Sequence, residues 1–220
     1  MAKADPISTR NLTPLPRIND LRRLLQSLAM LDAIMSAEWE SRYYSFDAGW
    51  AAGEQMGSMR NGSGDDYYAL FNQAGCFFKG FAHESQMSPY RCVPKQLWPG
   101  IFENVPEEFD DALREPAFVI EDTTFCIWRR YEDHEWQRGN IAFPQAPDPD
   151  GSEMLLAPLD GDPARYHEFA EYYYERKIDI YLVHHVYRHL PLTDKVITGL
   201  NADARYDAVL READQISYPA

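Results

Sequence analysis

Between Gln55 and Phe81, three strand-like runs follow one another with only short turns between them. QMGSMR (55–60) leads through the loop NGSGDD (61–66) to YYALF (67–71), and the turn NQAG (72–75) leads to CFFKGF (76–81). Short runs rich in aromatic side chains suit a pleated, half-buried surface. Glycine, asparagine and aspartate in the connections accept the positive φ that tight hairpins require. Strands joined by turns this short make an antiparallel meander. Any fold for this chain has to be built around that sheet.

The flanking segments extend it. RYYSF (42–46) reads as a strand ahead of the meander, and TTFCIWRRY (123–131) reads as a fifth, with apolar residues on both faces and so a central position. Leu21, Leu24, Leu25, Leu28, Leu31, Ile34 and Met35 recur at steps of three and four, the stripe of an amphipathic helix of about four turns capped by Asn19 or Asp20. VPEEFDDALRE (105–115) reads as a short acidic helix closed by Pro116. Beyond residue 163 the pattern is helical, in runs 164–177, 178–190, 193–201 and 203–216. Strands first and helices after give an α+β fold: an antiparallel meander of about five strands, packed by an N-terminal helix and a helical C-terminal part. The expected layout is an N-terminal arm, 1–18, and a single domain, 19–220. Within that domain lie a β-rich core, 19–143, a linker of five prolines, 144–163, and the helical part, 164–220.

Charge narrows the function classes. The net charge is −14. Residues 1–101 carry ten acidic and ten basic side chains, so the whole excess lies in residues 102–220. Such a field repels nucleic-acid phosphates and anionic membranes, and favours a basic partner. No run of about 18 apolar residues is present, and the first residues have no apolar signal core, so a cytoplasmic protein is expected. Three cysteines at wide spacing argue against a disulfide framework, and Cys76 and Cys126 in apolar runs read as buried. The aromatic surplus fits a homo-oligomer surface as well as a core.

Chemistry-bearing residues are few. His83, Glu84 and Ser85 stand side by side after the fourth strand. Neighbours in an extended chain point to opposite faces, and no G-x-S-x-G elbow exists, so the expected role of His83 and Ser85 is to satisfy backbone groups where the strand leaves the sheet. Asp122 leads into the fifth strand and Arg129 leaves it. If they converged with His83 and Glu84, the four would make a hydrolase site, with His83 as base, Glu84 or Asp122 as its orienter and Arg129 as an anion clamp. His185 and His189 are spaced to share a metal on a helix face, but the glutamate of H-E-x-x-H is missing and Arg188 opposes a cation. His167 and Glu171 form an i, i+4 surface pair. No phosphate loop, calcium loop or other cofactor motif is present, and no cofactor is expected.

The blocks EWESRYYSFDAGW (38–50), MRNGSGDDYYALF (59–71), GFAHESQMSPY (80–90), DTTFCIWRR (122–130) and LDGDPARYHEFAEYYYE (159–175) resemble a family of uncharacterised bacterial proteins over residues 20–218. That resemblance implies no activity, cofactor or catalytic residue. Size, acidity and an α+β pattern are also similar to bacterial immunity proteins, an analogy of scale and charge. The leading expectation is a binding protein, an inhibitor or immunity-type protein for a basic partner; the alternative is a small-molecule hydrolase near His83 and the Asp122–Arg130 strand.

Overall fold

The structure, a computed structural model, describes residues 6–220. Its strands are β1 (Tyr44–Ala51), β2 (Glu54–Arg60), β3 (Asp66–Phe71), β4 (Gly75–Phe81), β5 (Phe125–Arg130) and β6 (Gln137–Arg138), and they lie in sequence order in an antiparallel sheet. Its helices are α1 (Ile18–Met35), α2 (Ser152–Leu156), α3 (Pro163–Tyr173), α4 (Ile180–Tyr187), α5 (Asp194–Leu200) and α6 (Tyr206–Ile216). The fold is α+β, as its residue pattern predicts. The two-residue β6 is the strand that pattern does not reveal. Contacts divide the chain into two compact units, each made of two separate stretches: residues up to Ile18 with Arg60–Asp160, and Asn19–Met59 with Gly161–Ala220.

In the first unit, β4 pairs with β3 from Asp66↔Phe81 to Phe71↔Cys76, and with β5 from Gly75↔Arg130 to Gly80↔Phe125. Every residue of β4 is buried, because neighbours flank it and both its faces are covered. Phe78 packs between Tyr67 and Phe125, at ring separations of 4.9 and 6.1 Å. Gly80 is required here: a Cβ would lie 2.2 Å from the Phe125 ring carbons.

Two expectations are corrected in this unit. The segment 105–115 is no α-helix but part of a run of 3₁₀ turns at Glu107–Phe109, Ala112–Arg114 and Pro116–Phe118. Phe109 and Ala112 are buried three residues apart, which suits a three-residue repeat, while Pro116 removes an amide donor. The proline-rich stretch 144–163, expected as a linker, is packed along most of its length. Asp150, Ser152, Leu155, Leu156 and Leu159 are all buried, and Gly151 at φ 74° backs onto Ala82, where a Cβ would meet Ala82 Cβ at 2.1 Å. The prolines stiffen a segment whose leucines dock into the core. Asp150 Oδ1 accepts from Ser152 N and Oγ at 3.0 and 2.7 Å, and Asp150 Oδ2 accepts from Thr9 Oγ1. Thr9 N in turn donates to Ser152 Oγ at 2.9 Å, which ties the N-terminal arm down along with buried Ile7 and Leu15.

In the second unit the predicted stripe of α1 is buried from Leu21 to Met35. The helix starts at Ile18, so Asn19 and Asp20 sit in its first turn rather than at its cap. β1 runs on to Ala51 and pairs with β2 from Tyr44↔Met59 to Ala51↔Glu54, with an irregularity after Asp47. In its last turn, on the buried side, α1 carries Asp32. Its Oδ2 accepts from the amides of Tyr43 and Tyr44, each at 2.8 Å, and its Oδ1 accepts from Tyr166 Oη at 2.7 Å. Burial outweighs these donors and pushes the Asp32 acid up to about 6. The chain breaks between α3 and α4, with Glu175 at φ 50°. His167 and Glu171, expected as a surface pair, staple that break. His167 Nε2 lies 2.8 Å from the Ile178 carbonyl oxygen, so this nitrogen carries the proton, and Glu171 accepts from Ile178 N at 3.0 Å and Lys177 at 3.1 Å. No helix among the described residues is long and apolar enough to cross a membrane.

Candidate functional site

The most unusual chemistry in the first unit belongs to a residue that sequence reading passed over. Lys79 is the only charge in the apolar run Cys76–Phe81 and is fully buried. Its Nζ donates to Asp66 Oδ1 at 3.2 Å and to the Phe118 carbonyl at 2.9 Å, and it stands 5.3 Å from the centre of the Tyr68 ring. The register makes this possible, since Tyr68 and Lys79 are directly opposed on β3 and β4. Burial pulls Lys79 below the usual lysine range and pushes Asp66 above the usual carboxylate range, while the charge of each partner opposes both shifts. A lone lysine between aromatics in a strand was the available signal, because it has to find a carboxylate and a carbonyl or leave the sheet.

Lys79 anchors what lies over it. Residues 102–122 cross this face as a ridge with eight carboxylates and one arginine. Phe109, Ala112 and Phe118 point inward and are buried. Phe118 stacks on Tyr68 at 5.1 Å, Phe109 meets Phe77 at 6.1 Å, and Asn72 Nδ2 donates to the Glu108 carbonyl at 3.2 Å. Glu103, Glu107, Glu108, Asp110, Asp111 and Glu121 face outward and are exposed. Arg114, the lone cation of the ridge, is taken up by Asp111 at 2.9 Å and Asp110 at 3.8 Å. At the end of the ridge, Asp122 is ion-paired with Lys95 and accepts from Tyr90 Oη at 3.1 Å, and Lys95 lies 4.5 Å over the Tyr90 ring.

Of the four hydrolase candidates, the structure brings His83 and Glu84 together and gives Asp122 and Arg129 other partners. His83 Nε2 lies 3.4 Å from Glu84 Oε1, and both side chains reach into solvent. Asp122 is engaged with Lys95 and Tyr90. Arg129 sits four strand residues past Phe125, about 13 Å further along. It donates to the carbonyls of Asp133 and His134, the shortest of these bonds being 2.8 Å. Arg130 binds Asp133 in the same turn. The expected backbone role of His83 and Ser85 also needs correction. β4 stops at Phe81, and the amides beyond it are taken by other side chains: His83 N donates to Asp65 Oδ1 at 2.8 Å, and Ala82 N to Thr124 Oγ1 at 3.0 Å. The Ser85 hydroxyl is buried with no protein partner among the described residues. Asp65 and Thr124 sit closer to the strand end than the side chains beyond it.

His185 and His189 share no helix face, because α4 ends at Tyr187 and His189 is left-handed at φ 56°. His185 Nε2 is 2.9 Å from the Pro191 carbonyl, and His189 Nδ1 is 3.4 Å from Ser27 Oγ. Among the described residues, no group of three or more His, Cys, Asp or Glu is placed to hold a metal ion. Cys76 and Cys126 are buried, Cys92 is exposed, and all three are free thiols.

No family model, no curated protein and no solved structure matches this chain.

Proposed function

We propose that this chain is a binding protein that captures a basic protein partner on the acidic ridge 102–122. The observation that carries this reading is the pairing of high charge with rigidity. Eight carboxylates stand against one arginine on a segment pinned by Phe109, Phe118 and the buried Lys79 ammonium. A preformed surface of one sign speeds and orients capture of a surface of the other sign, and loses little entropy on binding. The three free thiols fit a reducing, cytoplasmic setting. A hydrolase in this region would need Asp122 and Arg129 to converge with the His83–Glu84 pair on one substrate, and both are held by other partners.

The test compares two variants of equal charge. One neutralises the ridge (Glu103→Gln, Glu107→Gln, Glu108→Gln, Glu121→Gln). The other neutralises exposed carboxylates of the helical part (Glu168→Gln, Glu175→Gln, Asp207→Asn, Asp214→Asn). Association is measured with a panel of small basic proteins from about 50 to about 500 mM salt, a range over which exposed charges go from weakly to strongly screened. The expected result is steep weakening with salt, and loss of binding in the ridge variant alone. Equal loss in both variants, or binding indifferent to salt, would reject the ridge.

A further inference from the structure

The second unit holds a cavity of about 360 Å³ beside the C-terminal end of α1 and the N-terminal end of α6. Ile34, Met35, Ala208 and Val209 give it an apolar floor. Its lining also carries three guanidiniums, those of Arg42, Arg176 and Arg205. In a chain of net charge −14, three guanidiniums meet a concave apolar wall here.

The three arginines do different work. Arg42 is buried and committed: Nη1 and Nη2 donate to the two carboxylate oxygens of Glu212 at 2.8 and 3.2 Å, and Nε donates to the Ser36 carbonyl at 2.9 Å. This fork neutralises Glu212, the one glutamate in the lining, so Glu212 does not repel an incoming anion. Arg176 donates to the Asn201 amide oxygen and pairs at 3.4 Å with the exposed Asp203, the second acidic residue of the lining. The exposed Arg205 side chain has no hydrogen-bond or ion-pair partner among the described residues. Arg205 is also the N-cap residue of α6 and gives it no side-chain cap, so the positive end of that helix opens at the same point.

We propose that this cavity binds a small organic anion. Its apolar body would rest on Ile34, Met35 and Val209, and its single carboxylate or phosphate would be held at the rim by Arg205 and Arg176. The volume lies at the lower end of the roughly 300–1,000 Å³ that small-ligand pockets span, so the occupant is small. Guanidinium forks suit both carboxylate and phosphate, and the apolar floor sets the requirement for a hydrophobic body.

The experiment titrates the full chain with benzoate, its neutral isostere benzamide, phenyl phosphate and inorganic phosphate, by calorimetry. Benzoate or phenyl phosphate is expected to bind, with benzamide and inorganic phosphate at least about tenfold weaker, since losing one charge-assisted contact costs on the order of tenfold. Arg205→Gln and Arg176→Gln should each weaken the binding anion by about tenfold. The Arg205 side chain is exposed, so that variant should keep the wild-type circular dichroism. The ridge variant should bind the same probes unchanged, which separates this proposal from the partner surface. Benzamide binding as tightly as benzoate would reduce the cavity to a greasy dimple. Inorganic phosphate matching phenyl phosphate would reduce it to a surface cation patch. No binding by any probe up to about 10 mM, a free energy of only a few kcal/mol, would overturn the site outright.

Discussion

The carboxylate of Asp32 accepts three hydrogen bonds, and desolvation still raises its acid to about 6. The sign of the consequence follows from the ordinary value of 3.8. Between about pH 4 and pH 6 the folded protein holds a proton that the unfolded chain has released. Stability from this group is therefore greatest in acid and falls as pH rises through that window, by roughly 3 kcal/mol, then levels above it. Buried Asp150 and Asp66 are shifted the same way, so the informative quantity is the difference between variant and wild type. Asp32→Asn can accept from both amides and donate to Tyr166. Urea unfolding at pH 4, 5, 6 and 7 should show the variant lacking most of the wild-type slope, and parallel slopes would refute the assignment. Neither Asp32 nor Lys79 stood out in the sequence. Each is a single polar break in an apolar run, and only the fold shows what reaches it: Tyr166 from α3 for one, the Phe118 carbonyl from the ridge for the other.

Elements were legible where their period was strong and misread where proline dominated. The stripe of α1 and the turns of the meander follow from residue spacing, because burial of one face sets both patterns. The ridge was read as helix because its carboxylates suit a helix start. It settles into 3₁₀ turns because Phe109 and Ala112 have to meet the sheet three residues apart. Its attachment predicts a local effect. Lys79→Met leaves the Phe118 carbonyl and Asp66 without their donor, at about 1–3 kcal/mol. Amides around Asp122, whose N–H bonds Val119 O at 2.7 Å, should then exchange at least about tenfold faster while amides in α1 change less. Uniform acceleration across the protein would mean Lys79 supports the whole fold rather than the ridge. The proline-rich stretch behaves similarly. Thr9, Asp150 and Ser152 form one buried network, so Thr9→Val and Ser152→Ala should each destabilise by about 1–3 kcal/mol. A double-mutant cycle should give a coupling above about 0.5 kcal/mol; strict additivity would show the arm and the segment to be independent.

For the whole molecule, counting charges located the acidic excess in residues 102–220, and the structure concentrates part of it on the ridge. The candidate site was less legible. His83, Glu84, Asp122 and Arg129 stand out by residue type alone; His83 and Glu84 face each other, while Asp122 and Arg129 are taken by Lys95 and by backbone carbonyls. The arginine cavity could not be read at all, since Arg42, Arg176 and Arg205 are far apart in sequence. A net charge of −14 also acts on stability. Self-repulsion opposes compaction and salt screens it, so the melting temperature should rise from low salt to about 0.3 M. The ridge-neutralised variant should gain less from salt than wild type, and an equal gain would place the repulsion elsewhere.

Each unit draws on two stretches that another part of the chain separates. Gln26 Nε2, on α1, donates to the Ile216 carbonyl 190 positions away at 2.9 Å, and the hydroxyl of buried Tyr218 donates to the Leu190 carbonyl at 2.9 Å. Emerging from a ribosome, α1 would meet β2 early, through Leu25 against Gly57, but would wait almost to residue 216 for the partners of Gln26, while the first unit could close once residue 160 was out. Helix α1 is the part most dependent on a chaperone's shelter during synthesis, and a stop between residues 201 and 216 would be felt first at α1, some 190 positions earlier.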